Sequence, residues 1–324
     1  MSAHPIPEDE PLFVPQQPPQ HAIFNTPARP VAINGTARDP PRFNRSLYPP
    51  VMVCLTRSVR FSVNQPDALR ESAHPSDNTF AAFPSMLGIG RHYELDIHCR
   101  GEIDPSTGYF LNIKEIDRAV RATMIPVITT AAHTPSADPA ATLRDSLPSL
   151  NAELGGSVTS VRWQLSPYYS IEMSPTPATA RPVAVALLRQ QFEFAAAHRL
   201  HVATLSDAEN RELFGKCNNP RGHGHNYRIE PCVEVSVPTT GTSPFNLLDL
   251  ERLTAEVIIA RYDHKHLNED TQEFGSGPGG LNPSVENISK VCFDLLAPAI
   301  AAAGAVLRSV TVWETDKTSS TYPG

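Results

Sequence analysis

Apolar and polar positions alternate over about 186–197 and 225–237, the two-residue period of strands with one buried face. The period then lengthens. Leu250, Leu253, Val257 and Ile258 form one stripe of a helix beginning at Asp249, and Ile288, Val291, Cys292, Leu295 and Leu296 form the stripe of another. The second helix is expected to start at Asn282-Pro283, an N-cap residue followed by a first-turn proline. Strands return near 306–315 and at the carboxy terminus. The pattern predicts an α+β unit of two strands, two helices and two strands over residues 185–324.

A comparable pattern precedes it. Gly88-Ile89-Gly90-Arg91-His92-Tyr93-Glu94 lines up with Gly222-His223-Gly224-His225-Asn226-Tyr227-Arg228, and Phe61 through Gln65 with Phe194 through His198. Val161-Arg162-Trp163-Gln164 lines up with Thr311-Val312-Trp313-Glu314. Residues 51–173 therefore read as an earlier copy of the same unit. Residues 1–50 are dense in proline and poor in apolar periodicity, the composition of a disordered or extended arm, and a second proline-rich stretch, 174–184, reads as a linker.

Composition narrows the field. A net charge of -7 excludes a general nucleic-acid binder, which needs a basic face. The five cysteines include no Cys-x-x-Cys pair, so a disulfide framework is not expected and a reducing cytoplasm fits. The amino terminus lacks the basic-then-apolar order of a signal peptide, and no apolar run reaches membrane-spanning length.

The chemistry concentrates between Cys217 and Tyr227. His223 and His225 head a predicted strand and, two residues apart, leave it on the same face. A lone His-x-His also arises by chance on surface strands, but His198, at the end of the preceding strand, offers a third imidazole. Three neutral imidazoles and an open fourth position form the donor set of a catalytic zinc, whereas structural zinc sites close with four protein ligands. Cys217 precedes His223 by six residues, and a thiolate beside a cation has a depressed pKa and accepts a proton near neutrality. Cys54, Cys99, Cys232 and Cys292 are expected to be inert thiols. In the earlier copy the aligned zinc positions read Gln65, Ile89 and Arg91, with Phe83 for Cys217 and Gln164 for Glu314. That copy keeps the pattern and loses the ligands.

Phe194–His201, Cys217–Tyr227, Tyr262-Asp263-His264-Lys265-His266-Leu267-Asn268, Val285-Glu286-Asn287 and Val312-Trp313-Glu314-Thr315-Asp316 together resemble the 6-pyruvoyl-tetrahydropterin synthase family, which includes the bacterial 6-carboxy-tetrahydropterin synthases. The resemblance covers 185–324. It implies tandem tunnelling-fold units, each an antiparallel four-stranded sheet with two helices on one face, that oligomerise into a β-barrel. It also implies a zinc-dependent lyase that converts 7,8-dihydroneopterin triphosphate to 6-pyruvoyl-tetrahydropterin with loss of triphosphate. His198, His223 and His225 would hold the zinc, Cys217 would be the base, and Asp263 with His264 would orient and tune it. Glu314 would anchor the pterin by accepting two N–H donors. Glu286 and Ser284 are secondary substrate contacts, although a first-turn glutamate also simply complements a helix dipole.

The six-residue spacing favours the pyruvoyl product. The alternatives are 6-carboxy-tetrahydropterin synthesis with release of acetaldehyde, as in the queuosine pathway, and a non-catalytic tunnelling-fold scaffold. Family sites form between subunits, so a homo-oligomer is expected, with the earlier copy walling a neighbour's site. Three chains giving six units, in stacked rings of first and second copies, is one closure. The partner is a small pterin triphosphate, with no nucleic acid and no membrane. In one departure from the family, Pro231 and Pro238 stand where a charged hairpin is usual, so the second strand of this unit is expected to end early.

Overall fold

The computed structural model describes residues 51–67, 74–175, 183–240, 243–275, 277 and 279–324. The arm expected at 1–50 and most of the linker expected at 174–184 lie outside them.

Two twelve-residue strands, β1 (Met52–Val63) and β2 (Arg91–Glu102), pair antiparallel along their whole length. Three helices follow, α1 (Ile113–Thr123), α2 (Ile125–Ala132) and α3 (Pro139–Glu153). Asn112 and Asp138 cap α1 and α3 through side-chain oxygens that accept backbone N–H bonds. The hairpin β3 (Val158–Ser166) and β4 (Tyr169–Met173) completes a four-stranded sheet. Ile116, Val120, Ile128, Leu143 and Leu147 bury their apolar faces with Phe61, Leu95, Ile97 and Val161 in one core. Each such side chain contributes about 1.5–3 kcal/mol by leaving water.

The second half repeats this order. β5 (Ala184–Gln190) and β6 (Phe192–His198) are two segments of one strand laid along β7 (His223–Val237). A short helix, α4 (Asp207–Phe214), precedes β7. After β7, α5 (Leu247–Thr254) runs through a π-helical segment, Ala255–Ile259, into α6 (Ala260–Tyr262). A two-residue strand, β8 (Lys265–His266), pairs parallel with β6 and leads into α7 (Leu267–Asp270). The long helix α8 (Val285–Ala302) then delivers β9 (Val306–Thr315) to the other side of β7, and β10 (Thr318–Tyr322) pairs with β9. No helix among the described residues is long and apolar enough to cross a membrane.

Four features differ from the sequence expectation. α8 is capped by Ser284, which accepts from the Asn287 N–H, and so starts two residues after Asn282-Pro283. α4 was not anticipated, although Ser206 and Glu209 form a reciprocal capping box that marks its start. β7 does not end early: Pro231 falls where β7 changes partners, between Ile229 opposite Phe192 and Cys232 opposite Arg189, so the missing N–H is tolerated there. The alignment of the two copies slips by one residue on their third strands. Phe61 faces Tyr93 just as Phe194 faces Tyr227, but Leu95 then faces Trp163 while Ile229 faces Val312. Leu165, not Gln164, is thus the counterpart of Glu314, and a one-residue shift reverses the face.

β4 pairs antiparallel with β5, so the two halves lie side by side in one sheet. This replaces the stacked arrangement of first and second copies. Glu172 on β4 fastens the seam: its carboxylate accepts from Ser160 at 2.8 Å, Arg162 at 3.0 Å and Arg189, across the seam on β5, at 2.9 Å. Burial alone would raise its pKa, but the hydrogen bonds from Ser160 and Arg162 and the two guanidinium charges hold it below the usual carboxylate range. Glu172→Ala leaves two guanidinium groups without their shared acceptor and is expected to cost about 2 kcal/mol in urea unfolding. Arg308→Ala, at the more exposed pair with Glu234, is expected to cost no more than about 1 kcal/mol.

Candidate metal centre

The end of β6 and the start of β7 bring three histidines together. His198 lies directly opposite His223 in the ladder, and His225, opposite Ala196, projects from the same face. One ring nitrogen from each lies within 4.8 Å of the other two, the only such metal-holding group among the described residues. His198 is fully buried, and its Nδ1 lies 2.7 Å from the Pro283 carbonyl just before α8 and 3.2 Å from the Tyr227 hydroxyl. Donation of Nδ1–H to that carbonyl fixes the tautomer and turns the Nε2 lone pair toward the other rings.

The donor set fits a metal ion. The Nε2 atoms of His198 and His223 face each other at 3.2 Å, and His225 Nε2 is buried without a hydrogen-bond partner. Burial, opposed by the Pro283 carbonyl and reinforced by the neighbouring His223, His225 and His266 rings, lowers the His198 pKa to about 4. Burial and His225 also lower that of His223. Both imidazoles are therefore neutral, as ligands must be, at physiological pH.

Glu314, near the end of β9, reaches the same point. Its Oε1 is 3.4 Å from His198 Nε2 and 3.6 Å from His225 Nε2. Phe194 stacks on Tyr227 at 5.1 Å beneath the cluster. Sequence reasoning passed over Tyr227 as a supporting contact, although its place two residues after His225 puts it on the ligand face.

Cys217 sits in a 3-10 turn, Gly215–Asn218, that continues α4. Its carbonyl accepts the Leu200 N–H at 2.8 Å, and the buried Asn218 side chain donates to the Leu200 carbonyl at 2.7 Å, so the turn is tied to the segment following His198. Asn219-Pro220-Arg221-Gly222 then makes a tight turn, closed by Gly222 N–H to the Asn219 carbonyl at 2.8 Å, that delivers His223 to the sheet. The half-buried thiol has a raised pKa, from burial first and from the charge of Glu314 second. The depressed value expected from sequence is thus not supplied by protein groups alone. Phe83 does not occupy the corresponding place: its N–H pairs with the Arg60 carbonyl alongside β1 rather than beyond that strand's end.

Asp263 and His264 pair with each other at 2.9 Å, and Asp263 accepts the Ala195 N–H at 2.9 Å. That backbone bond first, and the His264 side chain next, lower the Asp263 pKa. His264 is 83 % exposed and adopts φ 57°, and neither residue hydrogen-bonds to Cys217 within the chain. Ser284 is committed to its cap, and Glu286 lies exposed in the first turn of α8. Asn268, the last residue of the Tyr262–Asn268 motif, clamps the Arg199 backbone from both sides, accepting from its N–H at 2.7 Å and donating to its carbonyl at 3.1 Å.

The first half keeps the frame without the ligands. Gln65 and Ile89 are exposed, and Arg91, Tyr93, Trp163 and Leu165 line a cavity of about 410 Å³ instead.

The family model described as 6-pyruvoyl tetrahydropterin synthase matches residues 187–324. A 6-pyruvoyl tetrahydrobiopterin synthase from Poecilia reticulata is 41% identical over 132 residues, covering 40% of this chain and 85% of that protein. The Homo sapiens protein of the same name is 39% identical over 140 residues, covering 43% of this chain and 92% of its own length. The solved structure of Caenorhabditis elegans 6-pyruvoyl tetrahydropterin synthase is 34% identical, with a TM-score of 0.40 over 45% of this chain and 99% of that one.

Two predictions test the centre. Gly222 has φ +70°, and a Cβ there would stand 2.5 Å from His266 Nε2 and 2.9 Å from the His198 carbonyl oxygen. Gly222→Ala is expected to cost about 1–2 kcal/mol and to weaken metal binding, as read by denaturation and competitive metal titration. The metal-free protein should also weaken in acid. His198 has a folded pKa below its ordinary 6.5, so its stabilisation is complete above pH 6.5 and is lost as pH falls toward 4, on the order of 3 kcal/mol in all. His198→Gln should flatten that dependence in urea titrations repeated at pH 7, 6 and 5.

Proposed function

The chain belongs to the 6-pyruvoyl tetrahydropterin synthase family, and we propose that it is a zinc-dependent lyase converting 7,8-dihydroneopterin triphosphate to 6-pyruvoyl-tetrahydropterin with loss of triphosphate. The observation that carries this reading is the convergence of His198, His223 and His225, all three within one region matched by the family model.

His198, His223 and His225 would hold the ion, which when bound supplies Lewis acidity toward a substrate hydroxyl and a local positive charge. Cys217 is the proton acceptor in this reading. Burial and Glu314 oppose its ionisation, and the charge held by the histidines favours it, so the thiol is tuned by the loaded centre. Glu314 is the residue assigned to orient the pterin, its carboxylate accepting from the N–H edge. Ser284 and Glu286 at the head of α8 would flank that side chain.

The Asp263–His264 pair supports a site completed between units. His264, at positive φ with its imidazole exposed, is tied to Ala195 by its own backbone N–H to the Ala195 carbonyl and by the Ala195 N–H to the Asp263 carboxylate, and its ring is directed away from its own core. β1 and β10 each have one unpaired long side among the described strands, and such edges favour strand addition. Adding β10 of one chain to β1 of another would repeat the β4–β5 seam, so that first and second units alternate around a closed ring. A cytoplasmic setting agrees with the unpaired thiols.

Incubation of zinc-loaded protein with dihydroneopterin triphosphate should yield the pyruvoyl pterin by mass together with triphosphate. Release of acetaldehyde would instead assign the carboxy product. Cys217→Ala should lower kcat by about 10²–10⁴ while zinc content stays at the parent level. Parent-like turnover would remove Cys217 from the chemistry and favour the scaffold reading. Chelation should abolish activity and zinc restore it.

A further inference from the structure

Three cations without carboxylate partners line one cavity beside the metal centre. Arg199, Arg211 and Lys216, together with Asp207 and the His223 ring, border a space of about 980 Å³. Arginines such as Arg57, Arg162, Arg189, Arg261 and Arg308 are matched to carboxylates, and others such as Arg91, Arg100 and Arg118 are not matched among the described residues. Arg199, Arg211 and Lys216 are of the unmatched kind and share one cavity. Arg199 Nε donates to the Asn218 carbonyl at 3.2 Å and Arg211 Nε to the Asp207 carbonyl at 3.1 Å, while no ion pair involves the Lys216 ammonium among the described residues. Gathering like charges around one space is unfavourable unless an anion joins them.

Placement ties this space to the chemistry. Arg199 follows His198 and Lys216 precedes Cys217, so an anion held here lies one residue from a metal ligand and one from the thiol. The Asn268 clamp fixes the Arg199 backbone, and the capping box at Ser206 fixes the helix that presents Arg211. His223 Nδ1 is a buried ring nitrogen without a hydrogen-bond partner.

We propose that this cavity binds the triphosphate of the substrate, with Arg199, Arg211 and Lys216 contacting the phosphoryl oxygens while the hydroxylated side chain meets the histidines. The assignment rests on the substrate reading given above. Three donors of positive charge against a single lining carboxylate suit a polyphosphate chain, which accepts charge-assisted hydrogen bonds along its length.

The test uses inorganic tripolyphosphate as the probe in calorimetric titration of the zinc-loaded full chain. The parent should bind it more tightly than inorganic phosphate, with affinity that falls as salt rises. Arg211→Gln with Lys216→Gln should weaken binding by about tenfold or more, whereas Arg221→Gln, outside the cavity, should not. Both substituted side chains are exposed, and unchanged zinc content verifies the fold. The double variant should also raise KM for dihydroneopterin triphosphate. Absence of tripolyphosphate binding, or binding and KM indifferent to the double variant, overturns the proposal even if turnover proceeds. Binding that depends on these residues in a protein releasing no triphosphate from dihydroneopterin triphosphate would keep the polyphosphate site and sink the substrate assignment.

Discussion

The centre depends on one buried hydrogen bond, His198 Nδ1 to the Pro283 carbonyl. Without it the ring of His198, fully enclosed, would have no reason to choose one tautomer, and its Nε2 would not be reserved for a ligand. The bond also couples three elements that are far apart in sequence: the end of β6, the loop before α8, and, through Tyr227, the body of β7. Desolvation keeps the imidazole neutral, so the same burial that makes an unpaired polar group costly prepares a metal ligand.

Around that bond the geometry is supplied by local rules. The two-residue period of β7 puts His223 and His225 on one face, and direct cross-strand pairing sets His198 against His223. A turn with Pro220 and Gly222 lets the chain reverse between Cys217 and His223, and Gly222 is needed because His266 and the His198 carbonyl leave no space for a Cβ. α4 and its 3-10 continuation carry the thiol, and the bonds of Cys217 and Asn218 with Leu200 tie that turn to the segment after His198.

Much of this was legible in the chain itself. The strands, the α5 stripe and the histidine constellation follow from periodicity and spacing, because strand alternation is local and the ligands lie within it. What was not legible depends on partners distant in sequence. Pro231 looked like a strand end, yet it is harmless where β7 exchanges β6 for β5. The equivalence of Gln164 and Glu314 rested on a shared tryptophan, whereas the ladder places Trp163 opposite Leu95 and Trp313 opposite Arg228. Arg211 drew no notice because only the fold of α4 brings it to the cavity shared by Arg199 and Lys216. The clamp by Asn268 joins residues 69 positions apart, beyond any local pattern.

The β4–β5 seam is a contact between two tunnelling-fold units that belong to one polypeptide. Joining units that would otherwise meet by diffusion makes their encounter intramolecular, with an effective concentration set by the intervening residues rather than by protein abundance. Dilution therefore cannot part this pair. The first unit, which holds no such histidine group among its described residues, still offers a tethered docking surface to its neighbour, and that is a physical reason for its fold.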